Sequence, residues 1–257
     1  MPELPDITLF AQNLNKLFAG KKLQKVKVVS GKKLPDPAAQ LTKTLEGKTL
    51  RKVERSGKEL RFFFDKDLVM GMHLMLTGDI FLFDSTNERK TTIVELYFQG
   101  GKAIALCDRL KNAYIKLNPV DKEGIDALAI TYPQLSKALQ RKANIKNLLM
   151  DQNVIRGIGN SYADEILWEA KISPFSEAKA IPDEVVKKLP AIIKKVLNTA
   201  IRQITKKYPN KLNVEVKEFL KIHHKDRVIS PTGGNIKVDT KGMRKTFYTD
   251  EQVLYKS

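Results

Sequence analysis

One cysteine, one tryptophan and three histidines in 257 residues narrow the field before any motif is read. Cys107 cannot form a disulfide within the chain, nor can it supply a cysteine-ligated metal centre. That usage fits a reducing compartment. No stretch approaches the roughly 18 apolar residues of a membrane span, and the start of the chain lacks the pattern of a secretory signal. The expectation is a soluble, intracellular (cytoplasmic) protein. There is no internal repeat and no low-complexity segment. Acidic residues are also short: 29 Asp and Glu face 46 Lys and Arg, a formal charge of +17. Both halves of the chain are basic, and 42% of the residues are hydrophobic, enough for real cores. A folded basic surface of this size favours a polyanion, most simply nucleic acid, because each neutralised phosphate releases counterions. An acidic membrane is the competing partner, but no strongly basic amphipathic anchor helix supports it.

The length predicts one large or two ordinary domains. Residues 4–19 carry Leu4, Ile7, Leu9, Phe10, Leu14, Leu17 and Phe18 at helical spacing and stop at Gly20. Short β-rich runs follow, including LQKVKVVSG, LRKVERSGKELRFFF, GDIFLF, TTIVELYF and KAIALCD, divided by Gly, Asp and Asn turns. This spacing suggests a sandwich or barrel that ends near Asn118-Pro119. From about 125 the period becomes helical, in PQLSKALQR, ANIKNLLMDQNVI, NSYADEILWEAKI and the segment from Pro182 to Tyr208. Arg156-Gly157-Ile158-Gly159-Asn160 forms a tight turn between two of these helices. After about 225 two short strands and a loop remain.

The chain opens Met-Pro-Glu-Leu-Pro-Asp. Removal of Met1 makes Pro2 the terminus, and its nitrogen becomes a secondary amine. An α-amino group titrates at about 7.7–8.0, so part of it is unprotonated and nucleophilic near neutrality. A secondary amine attacking a sugar aldehyde carbon gives a cationic iminium directly. Met-Pro starts are also common for no catalytic reason, so other residues have to decide. Lys58 lies in RSGKELRF, a turn between two strand-like runs, where a solvated hairpin lysine is the plain alternative. Asn160 opens a helix, where unsatisfied N–H groups and the positive end of the dipole favour phosphate.

Four pieces in this order resemble the formamidopyrimidine-DNA glycosylase / endonuclease VIII family: PELPD, SGKEL at 56–60, IKNLLMDQNVIRGIGNSYADEILW at 145–168, and a C-terminal hairpin with Arg244. The third is similar to the family's helix–two-turn–helix (H2TH) signature nearly residue for residue, and the resemblance covers essentially the whole chain. It implies an α+β, two-domain fold: an N-terminal helix and β-sandwich at 1–120, a helical H2TH domain at 125–222 and a finger hairpin at 225–257. It implies that Pro2 is the nucleophile on C1′, Glu3 the matching acid/base and Lys58 a phosphate contact close to the lesion. Asn160 and Arg244 would bind the phosphates beside a flipped nucleotide, with Lys241 and Lys245 as fallbacks for Arg244. Asp6 departs from the glutamate usual at its position.

Two further departures concern the finger and the loops that fill the gap left by the flipped base. Many relatives hold the hairpin with four zinc-binding cysteines, whereas residues 225–257 contain none. His223 and His224 are adjacent and lack partners at ligand spacing. A zincless finger is expected, held by Ile229, Ile236, Val238, Phe247, Tyr248 and Val253. Leu76 stands in HLMLTGD where methionine is frequent, and His73 in the same loop is either structural or a DNA-backbone contact. The other loop, CDRLKNAY, lacks the family's Phe-Gly, leaving Arg109 or Lys111 to face the orphaned base. The resemblance implies a bifunctional DNA glycosylase and abasic-site lyase. It would work on oxidised or ring-opened bases in damaged double-stranded DNA, as a monomer without metal or organic cofactor. A glycosylase for bulky or crosslinked lesions and a non-catalytic DNA-binding protein on the same scaffold are the rivals.

Overall fold

The structure is a computed structural model that describes residues 1–213, 215–240 and 244–256. Two compact units make up the chain: Met1–Asp121 with Ile204–Glu215, and Lys122–Gln203 with Val216–Ser257.

The first unit starts with α1 (Leu4–Phe18). Glu3 is extended and caps it in a reciprocal exchange: the Glu3 carboxylate accepts the Asp6 N–H, and Asp6 Oδ2 accepts the Glu3 N–H at 3.0 Å. Pro5 sits in the first turn, where its missing N–H is not needed. The helix buries Leu4, Ile7, Leu9, Phe10, Leu14 and Phe18, more than one stripe of its surface. Full burial of such side chains contributes about 1.5–3 kcal/mol each, so α1 is a core element. It packs along β2 (Leu50–Ser56). At its far end Phe18 meets Phe98 with ring centroids 4.3 Å apart.

Two four-stranded antiparallel sheets complete this unit. One runs in the order β1 (Leu23–Val28), β6 (Thr92–Phe98), β7 (Ala103–Asp108), β5 (Gly78–Phe83). The other runs β2, β3 (Glu59–Phe64), β4 (Val69–His73), β8 (Tyr114–Leu117). Val26, Val94, Leu96, Ile104 and Leu106 are buried from the first sheet, and Leu60, Phe62, Met70, Met72 and Ile115 from the second. A short helix, α2 (Ala38–Leu45), covers β1 through Leu41 and Leu45. The expected β-rich region and leading helix are both present.

The second unit is mainly helical, with α3 (Tyr132–Leu139), α4 (Ile145–Met150), α5 (Asn160–Glu169) and α6 (Asp183–Lys207). Residues of α6 from Ile204 onward group with the first unit, whereas the sequence pattern ran them with the helical domain. The amphipathic run ANIKNLLMDQNVI yields only the six residues of α4. Asn144 caps it by accepting the Asn147 N–H at 3.1 Å, and the chain leaves the helix at Asp151. β10 (Ile155–Arg156) then pairs in parallel with β9 (Ile125–Asp126). Gln152 stitches the turn: Nε2 donates to the carbonyls of Met150 and Ile158, both at 2.8 Å, and Oε1 accepts the Gly157 N–H at 2.9 Å. Gly157 sits at φ 107°, a left-handed value that favours glycine. The C-terminal module is a hairpin of β11 (Lys237–Asp239) and β12 (Thr246–Tyr248), and it belongs to this second unit. Among the described residues, no helix is long and apolar enough to cross a membrane.

A close backbone approach in the first unit lies at Gly78, where a Cβ would stand 2.2 Å from the Leu74 carbonyl oxygen and 2.8 Å from Ala113 Cβ. Gly78→Ala is therefore expected to lower stability by about 1–3 kcal/mol, the usual range for overpacking, read as a drop in the urea midpoint with an unchanged slope.

Candidate functional site

The chain start is held in place. Pro2 and Glu3 are buried, and the Met1 ammonium meets Glu215 Oε2 at 3.2 Å, within the same unit. The Glu3–Asp6 exchange explains why an aspartate suffices at position 6: at the third helical position its short carboxylate already reaches the Glu3 N–H.

Lys58 and Gly57 form the two-residue turn between β2 and β3, with Gly57 at φ 59°. Arg55 ties this turn to α1: Nη1 donates to the Gly57 carbonyl at 3.0 Å and Nε to Thr8 Oγ1 at 3.1 Å. Lys58 is half-buried. Strand register carries the same end of the sheet further. Glu59, next to Lys58, pairs with His73, and His73 pairs with Tyr114. Lys58, His73 and the start of β8 therefore gather at one sheet end.

The two loops expected to fill a vacated base position are organised by one carboxylate. Asp108, 1% exposed, accepts the N–H of Leu110 at 3.0 Å, of Asn112 at 2.7 Å and of Ala113 at 2.9 Å. The Thr77 hydroxyl, from the other loop, also donates to it. Burial opposes its charge, yet the Thr77 hydroxyl and the three backbone donors outweigh burial and hold the Asp108 carboxyl below its ordinary range. Leu76 (63% exposed) and Leu110 (45% exposed) project from these joined loops, and Arg109 and Lys111 are exposed beside them. His73 supports this end: Nδ1 accepts the Met75 N–H at 3.0 Å, and its ring stacks on Tyr114 at 5.6 Å.

In the second unit, Gly159 occupies the cap position of α5 and Asn160 is its first helical residue. Asn160 does not cap the helix with its side chain. Its Nδ2 donates to the Lys245 carbonyl at 3.0 Å, so the helix start and the hairpin meet. Asn160 and Arg244 line one cleft of about 370 Å³, together with Asn144, Asn147, Thr246 and Asp239. Arg244 is exposed. Lys241 lies outside the described residues.

The apolar finger core expected from sequence is only partly present. Phe247 packs with Trp168, Ile222 and Ile236, and Tyr248 meets Phe175 edge-on at 5.0 Å. Ile229, Val238 and Val253, however, are about half exposed. A second carboxylate does much of their work. Glu251 accepts from Thr232 Oγ1 at 2.5 Å, Lys171 Nζ at 3.0 Å, Trp168 Nε1 at 3.2 Å, Thr249 Oγ1 at 3.0 Å and Ser230 Oγ at 3.1 Å. The Thr232 and Lys171 hydrogen bonds lead the causes that bring its carboxyl down to about 2. The donor set for a structural zinc is missing: residues 225–257 hold no cysteine. Among the described residues, no three His, Cys, Asp or Glu stand together as a metal site.

The family model for the formamidopyrimidine-DNA glycosylase N-terminal domain matches residues 1–115, and that for the formamidopyrimidine-DNA glycosylase H2TH domain matches residues 124–209. The formamidopyrimidine-DNA glycosylase of Lactobacillus gasseri is 33% identical over 276 aligned residues, covering 100% of both chains. That of Ligilactobacillus salivarius is 36% identical over 202 residues, 74% of this chain and 73% of that protein. Among solved structures, the Lactococcus lactis Fpg in complex with abasic-site DNA matches with a TM-score of 0.86 at 22% identity, over 97% of this chain and 99% of that one. The structural likeness shows a shared fold, and the sequence matches go further. The chain belongs to the formamidopyrimidine-DNA glycosylase family.

Sequence reasoning placed Asp108 only at the start of its loop, without its organising role, and did not find Leu110, Glu215 or Glu251. Only Asp108 carried a local signal, an aspartate at a strand end before a short polar loop, where its side chain can take backbone N–H groups. Because folding lowers the Asp108 pKa, its contribution is full above the unfolded value of about 3.9 and fades as pH falls below it. Asp108→Asn is expected to cost about 1–3 kcal/mol at neutral pH. In urea unfolding followed at several pH values, the gap to the unaltered protein should narrow below about pH 4.

Proposed function

We propose that this chain is a base-excision DNA glycosylase with abasic-site lyase activity, acting inside the cell on damaged double-stranded DNA. The observation that carries this reading is the full-length family match together with a buried, helix-capped start at Pro2-Glu3. A base inside a duplex is out of reach of any side chain, so the nucleotide must be extruded, at a cost of a few kcal/mol. The relatives named above are formamidopyrimidine-DNA glycosylases by name, a formamidopyrimidine is a ring-opened base, and the substrate class read for this chain is correspondingly oxidised or ring-opened bases.

In this mechanism the Pro2 nitrogen, freed by loss of Met1, gives its lone pair to C1′. The C1′–base bond breaks, the base leaves with the electron pair of that bond and takes up a proton, and the attached Pro2 nitrogen loses its N–H proton. Glu3 supplies the proton that opens the sugar ring at O4′, which yields the C1′ iminium. The iminium acidifies the C2′ proton. Its removal expels the 3′ phosphate and nicks the strand, and water then releases Pro2. Glu3 suits this task because the capping exchange fixes its carboxylate one residue from the nucleophile.

Lys58 would hold a phosphate near the lesion. Asn160 and Arg244, in one cleft, would hold the phosphates beside the extruded nucleotide, the arginine through its bidentate fork. Leu76 would enter the vacated position, with Arg109 beside it facing the orphaned base and Leu110 adding apolar surface. Any DNA contact by His73 falls to Nε2, since Nδ1 is committed to Met75.

Borohydride reduction during reaction with abasic-site DNA is expected to trap a covalent protein–DNA adduct, and Pro2→Gly should reduce it sharply. An undiminished adduct excludes the Pro2 nitrogen. Binding should weaken steeply with salt, and Lys58→Ala or Arg244→Ala should each lower the slope of log affinity against log salt by about one unit. Unchanged slopes in both variants place these residues away from DNA.

A further inference from the structure

β12, which follows Arg244, has only a three-residue ladder with β11. A lone two-stranded hairpin is marginal in water at best, so the position of Arg244 has to be set from outside the hairpin. Glu251 grips the module's base. Closer to Arg244 lies a second polar cluster that the mechanism does not use: Lys146, Asp164 and His223, which are 5%, 0% and 9% exposed.

Asp164, on α5, is its centre. Oδ1 takes the Lys146 ammonium as an ion pair at 2.8 Å. Oδ2 takes the His223 Nδ1–H at 2.7 Å and the Phe247 N–H at 2.9 Å. Lys146, on α4, donates onward to Thr246 Oγ1 at 2.8 Å and to the Lys245 carbonyl at 3.3 Å. The His223 ring packs on Phe247 with centroids 4.4 Å apart. The three residues after Arg244 are thus each bonded by a directed polar contact to this cluster. Buried ion pairs add little net stability over apolar packing, while losing one partner is costly. Apolar contacts hold a strand without choosing its register; a carboxylate with fixed donors chooses it.

We propose that Asp164, acting through Lys146 and His223, is the positioning residue of the hairpin and sets Arg244 on the same cleft as Asn160. It orients with directed hydrogen bonds a hairpin module whose residues 225–257 contain no cysteine. The inference rests on the reading of Arg244 as a phosphate contact.

The test joins a mutant cycle to amide exchange. Asp164→Asn keeps the shape but turns one acceptor into a donor that faces Lys146 or the Phe247 N–H. Amide exchange at residues 245–248 should speed up by about tenfold or more, the scale on which loss of a coupled buried contact is felt, with β6 and β7 unchanged. Affinity for a duplex carrying a tetrahydrofuran abasic analogue should fall, and adding Arg244→Ala to Asp164→Asn should cost little more. His223→Leu should reproduce Asp164→Asn, and His223→Asn, which retains a donor near Nδ1, should restore slow exchange and affinity. Unchanged exchange in both Asp164→Asn and His223→Leu overturns the positioning role, as do fully additive affinity losses with Arg244→Ala. If Arg244→Ala alone leaves affinity intact, the phosphate reading fails instead, and the exchange measurements still decide whether Asp164 positions the strand. Should Asp164→Asn not fold, His223→Leu and Lys146→Met carry the same comparison.

Discussion

A nucleophile at the end of a chain works only if that end does not fray. Chain termini are ordinarily the least ordered part of a domain, and here the opposite condition is built from a few side chains. Glu3 and Asp6 close the first turn of α1 against each other. α1 is buried along most of its length, through residues that reach from Leu4 to Phe18. Displacing Pro2 would therefore require disturbing a core helix rather than a loose tail. The rest of the proposed chemistry depends on this constraint, because an amine free to wander cannot be held at attack distance from a sugar carbon.

Carboxylates recur as organisers of this very basic chain. Asp108 gathers three backbone N–H groups and a hydroxyl to shape the loops bearing Leu76 and Arg109. Glu251 gathers five donors at the base of the hairpin. Glu165, on α5, accepts the backbone N–H groups of Lys221, Ile222 and His223, all within 2.9 Å. Burial raises the Glu165 pKa against the pull of those hydrogen bonds. With these acids engaged by backbone and side-chain donors, Arg109, Lys111 and Arg244 remain exposed.

What could be read from sequence follows the range of the interactions involved. α1 was legible because its apolar spacing and Gly20 are local signals. The Gly57-Lys58 turn and the helix opening at Asn160 were legible for the same reason. The grouping of 204–215 with the first unit was not, since the pattern of α6 runs through Ile204 without a break. The apolar finger was half right. Phe247 is buried, but Ile229, Val238 and Val253 are not, and Glu251 holds the module through residues as distant as Trp168 and Lys171. Polar contacts between segments tens of residues apart leave no periodicity to detect. The partner of the Asn160 side chain was not legible for the same reason: its amide donates to the Lys245 carbonyl, 85 residues away.

The most direct test of the central claim is to locate the bond itself. Peptide mapping by mass spectrometry of the borohydride-reduced protein–DNA adduct identifies which nitrogen carries the deoxyribose remnant. The account predicts the remnant on the peptide that begins at Pro2, with Met1 gone. A remnant on Lys58 or another lysine, or an adduct on a chain that still carries Met1, contradicts it.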